Sequence, residues 1–192
     1  MSIVLLGSTS GSCTLQEQAV AGSTTLTLPT FNGTVGLLVS GTAVSASSTS
    51  VDFTSIPAGV RRITVMFNEV SSSGTSNFLV QLGDSGGIEN TGYVSTSNYT
   101  NQASTTGGSN STAGYLLFNS ASSGAALISG TYTLVNISGN TWIGSGVHKI
   151  ITTQVIFSGG SKALSDVLTQ IRVTTVNGTD TFDAGTINIL YE

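Results

Sequence analysis

Gly83-Asp84-Ser85-Gly86-Gly87 is the string in this chain that most resembles catalytic machinery. It satisfies both the serine-protease nucleophile signature and the G-x-S-x-G elbow of α/β-hydrolases. A nucleophilic serine needs an imidazole to take its proton and an acid to orient that imidazole. The single histidine, His148, follows the serine, against the protease order. The only acid between them, Glu89, lies four residues past the serine, too near to be the separate orienting group. The string is therefore expected to be a loop closing a strand over residues 78–82, with Asp84 and Ser85 bonding local backbone.

The other candidates for chemistry are few. Asp180 and Asp183 are the only close carboxylate pair. They flank Phe182 beside the Asn177-Gly178 turn, which fits backbone capping better than acid–base work on a sugar. One histidine and one thiol, Cys13, supply neither a thiolate metal site nor a disulfide, and no calcium loop is present. The expectation is no catalytic residue, no metal and no cofactor. His148, at the opening of an apparent strand, reads as an ordinary edge residue. Arg61-Arg62 reads as a solvated strand end or as partner to Asp52 and Glu69, with a phosphate clamp as the functional alternative. Tyr93, Asn98, Tyr99 and Tyr115 fall in or beside residues 85–114, a long stretch rich in Asn, Ser, Thr and Gly. Rings set among small polar residues suit a contact surface, so these four form a candidate contact loop. Trp142 is equally compatible with core and contact.

The elements that must position these groups are strands. Alternating apolar residues mark Ile63, Val65 and Phe67; Phe78, Val80 and Leu82; Tyr132 and Leu134; and Ile187, Ile189 and Tyr191. Residues 162–171 carry helical spacing, but the β-branched alternation of residues 170–176 favours a strand. Turn clusters at residues 71–74, 83–87, 120–124 and 138–140, with Asn177-Gly178, separate the runs. With no helical crossovers the sheets must be antiparallel. The fold expected is all-β: a jelly-roll-like sandwich over residues 39–192 preceded by an extended arm, residues 1–38, whose large apolar residues are too few to form a core. Leu15, Leu26, Leu28 and Phe31 are its candidate docking residues.

Composition narrows the partners. Of 192 residues only 7% are charged, against about 25% in ordinary proteins. A net charge of −4 on five basic residues argues against nucleic acid. No apolar run suits membrane insertion or a secretion signal, which predicts cytoplasmic synthesis. The Asn-x-Ser/Thr matches at Asn32, Asn98, Asn110, Asn136 and Asn177 are what a hydroxyl-rich chain produces by chance.

Residues 51–67, Val51-Asp52-Phe53-Thr54-Ser55-Ile56-Pro57-Ala58-Gly59-Val60-Arg61-Arg62-Ile63-Thr64-Val65-Met66-Phe67, resemble the opening of a β-sandwich domain found in tail-fibre and other virion proteins of tailed bacteriophages. Residues 171–191 resemble its last two strands, and residues 22–34 are similar to segments upstream of such domains. The resemblance implies a non-enzymatic virion appendage, usually a homotrimer, with loops exposed to the host. Coiled-coil and shaft repeats are missing, which favours a compact knob over a long fibre. The partners implied are other virion proteins (a tail adaptor or the major capsid protein) and a host-surface glycan. The alternative is a head decoration or cement protein; more remote is a surface-glycan hydrolase built on Ser85 or Asp180/Asp183.

Overall fold

A computed structural model describes residues 2–6, 12–16, 38–117 and 126–192. Two units are distinguished, Met1–Val35 and Gly36–Glu192. In the first, β1 (Ser2–Leu6) and β2 (Ser12–Gln16) pair antiparallel, so the start of the expected arm is a hairpin, with Leu15 opposite Ile3. Leu26, Leu28, Phe31 and the turn at 120–124 lie outside the described residues.

The second unit contains β3 (Val39–Ser40), β4 (Val44–Ser45), β5 (Ser50–Phe53), β6 (Arg62–Ser72), β7 (Phe78–Asp84), β8 (Gly87–Ile88), β9 (Val94–Asn101) and β10 (Thr106–Ser111). They are followed by β11 (Tyr115–Leu116), β12 (Ile128–Ser138), β13 (Thr141–Ile151), β14 (Gln154–Ala163), β15 (Gln170–Thr175) and β16 (Phe182–Tyr191). Every pairing is antiparallel. A nine-stranded sheet runs β10-β9-β14-β13-β12-β6-β16-β3, with β4 also on β16; a five-stranded sheet runs β11-β7-β15-β5, with β8 on β7. Eight steps of this order make a jelly roll. Taking β3/β4 as first, then β5, β6, β7, β11, β12, β15 and β16, the large sheet is 1-8-3-6 and the small one 2-7-4-5. Two excursions enlarge it: β8–β10 enters between the fourth and fifth strands, β13–β14 between the sixth and seventh.

The alternating residues are the core, as expected. Ile63, Val65 and Phe67 of β6 face inward beside Tyr132 and Leu134 of β12 and Ile187 and Ile189 of β16, all buried. Opposite them, Val51, Val173, Val80 and Tyr115 form a row across the small sheet. Each large apolar side chain so buried contributes about 1.5–3 kcal/mol. Residues 164–169 are neither helix nor strand; the ladder resumes only at Gln170.

Glycine enters the ladder where a ring needs room. Tyr132 lies over β13, where a Cβ on Gly144 would stand 2.5 Å from its ring. Gly159, on the neighbouring β14, has no such neighbour, its nearest being Gly144 O at 3.5 Å. Gly144→Ala should therefore cost about 1–3 kcal/mol through overpacking, whereas Gly159→Ala should be neutral or slightly stabilising. Urea denaturation of the two variants checks this, and equal effects would contradict the packing of Tyr132.

Candidate interaction surfaces

Residues 85–114, expected to be a long loop, are mostly strand: β8, β9 and β10 account for most of them. Ser85 and Gly86 are the two-residue turn between Asp84 and Gly87. The backbone N–H of Gly86 donates to Asp84 Oδ1 at 2.7 Å, the local bond expected of this string. Asp84 is also engaged at a distance. The Ser165 hydroxyl lies 2.7 Å from Asp84 Oδ2 and 2.8 Å from Glu89 Oε1, sharing its proton between them. These bonds, Ser165 first, hold the Asp84 carboxyl below its ordinary pKa. Burial pushes Glu89 up, yet its ion pair with buried Lys162 and its bonds to Ser165 leave it lowered on balance. The string thus anchors a polar brace.

Two of the four candidate contact residues face the core, which corrects the expectation for them. Tyr93 is 1% and Tyr115 0% exposed. Tyr93 Oη accepts from Leu82 N at 2.6 Å and donates to Glu89 O at 3.0 Å; Tyr115 Oη donates to Trp142 O at 2.8 Å. Burial raises both phenols well above their usual range. Tyr99 is half-buried against the core, and Asn98 alone of the four is exposed. Trp142 is core, at 3% exposure.

His148 is not an edge residue. It sits on β13, between β12 and β14, and is 1% exposed. Its ring stacks on Tyr132 (6.2 Å between centroids, 13° between planes), meets Phe67 edge-on and approaches Ser158 Oγ at 3.3 Å through Nε2. Nδ1 is buried with no partner. Burial lowers the pKa to about 4.

Arg61 and Arg62 are exposed at the start of β6, the solvated strand end expected, but neither pairs with Asp52 or Glu69. Asp52 binds Arg172 through two 2.7 Å bonds, and Glu69 takes Lys149 at 2.8 Å. Arg62 goes to Glu192 at 2.6 Å, and Arg61 Nη1 donates to Asn136 Oδ1. Asp180 accepts from Ser76 N at 2.9 Å and Asn177 Nδ2 at 2.7 Å, and Asp183 takes the Ser71 hydroxyl. Asp180 braces the loop at 176–181, the capping expected of it, whereas Asp183 links β16 to β6. Among the described residues no group of three or more His, Cys, Asp or Glu side chains could hold a metal ion.

What hydropathy did not single out is the outer face of the large sheet. Asn98, Phe157, Val147, Thr131, Met66 and Asn188 stand opposite one another across six strands. Phe157 and Val147, side by side, are 52% and 53% exposed, with Val155, Ile143 and Val135 exposed nearby. Ser145, Thr133 and Gly159 lie between them, while the ion pairs Lys149–Glu69 and Arg62–Glu192 border the uncharged rows, Lys149 opposite Val155 and Arg62 opposite Val135. The signal was present as the outward half of the alternation in β13 and β14. Apolar residues clustered on an open face make this the candidate interaction surface.

The sign of the His148 shift makes a pH prediction. The folded pKa lies below the unfolded 6.5, so the unfolded chain binds more protons between the two values. Stability should hold above pH 6.5 and fall by about 3 kcal/mol as pH drops towards 4. Urea midpoints in a pH series measure it; His148→Phe should flatten the slope between pH 6.5 and 4.5, and a flat wild-type profile would contradict a buried neutral imidazole.

Comparison with known proteins finds no protein family, no characterised protein and no solved structure that matches this chain.

Proposed function

We propose that this chain is a non-enzymatic structural protein of a tailed-bacteriophage virion: a short fibre or knob, attached through residues 1–38, whose sandwich assembles as a homotrimer and meets the host surface. The observation that carries the reading is the outer face of the large sheet. The β13–β14 excursion adds strands beyond the jelly roll, and their outward positions hold Ile143, Val147, Val155 and Phe157 in water. Its central rows carry no charge, so burying them between subunits removes no ion from water, and the bordering Lys149–Glu69 and Arg62–Glu192 pairs suit a polar rim. Around a three-fold axis each copy seats this face against its neighbours, and weak host contacts repeated three times gain avidity of about 10²–10⁴. The non-enzymatic reading is supported by the placement of the catalytic candidates: Ser85 is a turn residue, His148 packs with Ser158 and Tyr132, Asp180 braces a loop and Asp183 links β16 to β6.

The purified chain should sediment with the mass of three copies at micromolar concentration and band with particles in a density gradient. Phe157→Lys places a charge in the contact and should give a folded monomer with unchanged far-ultraviolet circular dichroism. A monomeric wild type, a trimeric Phe157→Lys, or absence of the chain from banded particles would each overturn the reading.

A further inference from the structure

At one end of the sandwich three connections close around a cavity of about 150 Å³. The segments are residues 54–61 between β5 and β6, the β12–β13 turn at Gly139-Asn140, and residues 164–169 between β14 and β15. Main-chain bonds fasten each to another. Ile56 N donates to Thr169 O at 2.9 Å, Leu164 N to Asn140 O at 3.0 Å, and Asn136 N to Arg61 O at 2.8 Å. The rim is therefore built before any ligand arrives.

The lining combines a cation, amides and apolar surface: Arg61, Asn136 and Asn140 with Val60, Trp142 and Leu168. Arg61 differs from the other basic residues. Arg62, Lys149, Lys162 and Arg172 each have a carboxylate within ion-pair distance, whereas Arg61 has none among the described residues. Its orientation is nonetheless set. Asn136 Nδ2 donates to Gly139 O at 2.8 Å and Thr141 O at 3.2 Å, which turns the amide oxygen of Asn136 towards Arg61 Nη1. The backbone of Arg61 is held as well, its N–H donating to Glu192 O at 2.7 Å. One arm of the guanidinium is thus engaged by Asn136, and Nε and Nη2 have no acceptor among the described residues, the pair of donors that takes a carboxylate by two parallel bonds.

We propose that this cleft binds a single carboxylate-bearing sugar ring, with Arg61 on the carboxylate, the Asn140 amide and rim carbonyls on hydroxyls, and Val60 and Leu168 against the apolar ring face. The volume supports one small ring, since clefts for drug-sized ligands run about 300–1,000 Å³. A fork held by second-layer bonds recognises a planar carboxylate and discriminates against a neutral analogue, whose binding would leave it unmatched. The inference goes beyond the assembly reading and stands apart from it, because the cleft belongs to one chain and is tested without particles.

Trp142 is the only tryptophan and lines the cleft, so its emission reports occupancy. The full chain is titrated with D-glucuronate, with D-glucose as the neutral analogue and acetate and inorganic phosphate as competitors. Glucuronate should bind saturably with a millimolar dissociation constant, at least tenfold tighter than glucose or acetate. Arg61→Gln should abolish binding and Arg61→Lys should weaken it at least fivefold, both with the wild-type urea midpoint to within a small shift. Asn136 also holds the β12–β13 turn, so Asn140→Ala serves as the second variant and should weaken glucuronate without affecting acetate. No saturable response, glucose binding as tightly as glucuronate, displacement by acetate or phosphate at equal concentration, or unchanged binding by Arg61→Gln would each overturn the proposal.

Discussion

The pairing of β6 with β16 is the constraint on which the sandwich depends. These strands lie more than a hundred residues apart in the chain, and their register decides which residues point inward. Ile187 stands opposite Phe67, Ile189 opposite Val65 and Tyr191 opposite Ile63. A slip of one residue would turn these sets to the wrong face. The register is pinned by irregularity at one end, where Glu69 takes φ 51° and Gly185 φ 87°. A Cβ on Gly185 would lie 2.4 Å from Glu69 O, so only glycine permits the two backbones to approach there. The same distortion brings Glu69 to Ser129 and Lys149, tying the end of the ladder to β12 and β13.

From this ladder the large sheet grows outward through β12, β13 and β14 to β9, and becomes broader than the small one. Its inner side is filled by a run of rings. Tyr93 meets Tyr115 edge-on at 5.2 Å, Tyr115 meets Tyr132 at 5.5 Å, Tyr132 stacks on His148, and His148 meets Phe67. Gly144 and Gly146 make this possible, since a Cβ at either would enter the Tyr132 ring. Among the described residues of this unit the outer side of the same strands has no such cover. One structural decision, the extension of the sheet by β13 and β14, therefore produces both the aromatic core and the open apolar face, and the turn it introduces forms one wall of the Arg61 cleft.

The strands β6, β7, β12 and β16 were legible because their inward residues are large and apolar, so hydropathy alternates with the pleat. β9 and β10 were not. The inward residues of β9 include Ser95 and Ser97, buried hydroxyls, and Ser95 Oγ accepts from Leu116 N at 2.8 Å. A strand held by its backbone ladder and by buried hydroxyls has no hydropathy period, and its Ser, Thr and Asn content reads as loop. That misreading carried Tyr93 and Tyr115 to the surface, where polar neighbours in sequence imitate a contact loop; in space their neighbours are rings and main-chain groups. The ion pairs were illegible for a different reason, since Arg172 with Asp52 and Lys149 with Glu69 depend on strand order. Arg61 was visible as a cation at a strand start, but its preset fork depends on Asn136, seventy-five residues away. Chain order alone argued against pairing Ser85 with His148, and the structure puts Ser85 in a tight turn and His148 against Tyr132 and Ser158.

The proposed function thus depends on whether other copies of the chain cover the outer face of the large sheet. Covalent footprinting of the assembled protein with photogenerated carbene tests this most directly, read at Phe157, Val147 and Met66 before and after dilution. Assembly should protect these three side chains and dilution to single chains should expose them, while Val176, exposed outside this face, labels equally in both. Equal labelling of Phe157 and Val147 in the two states would contradict the account.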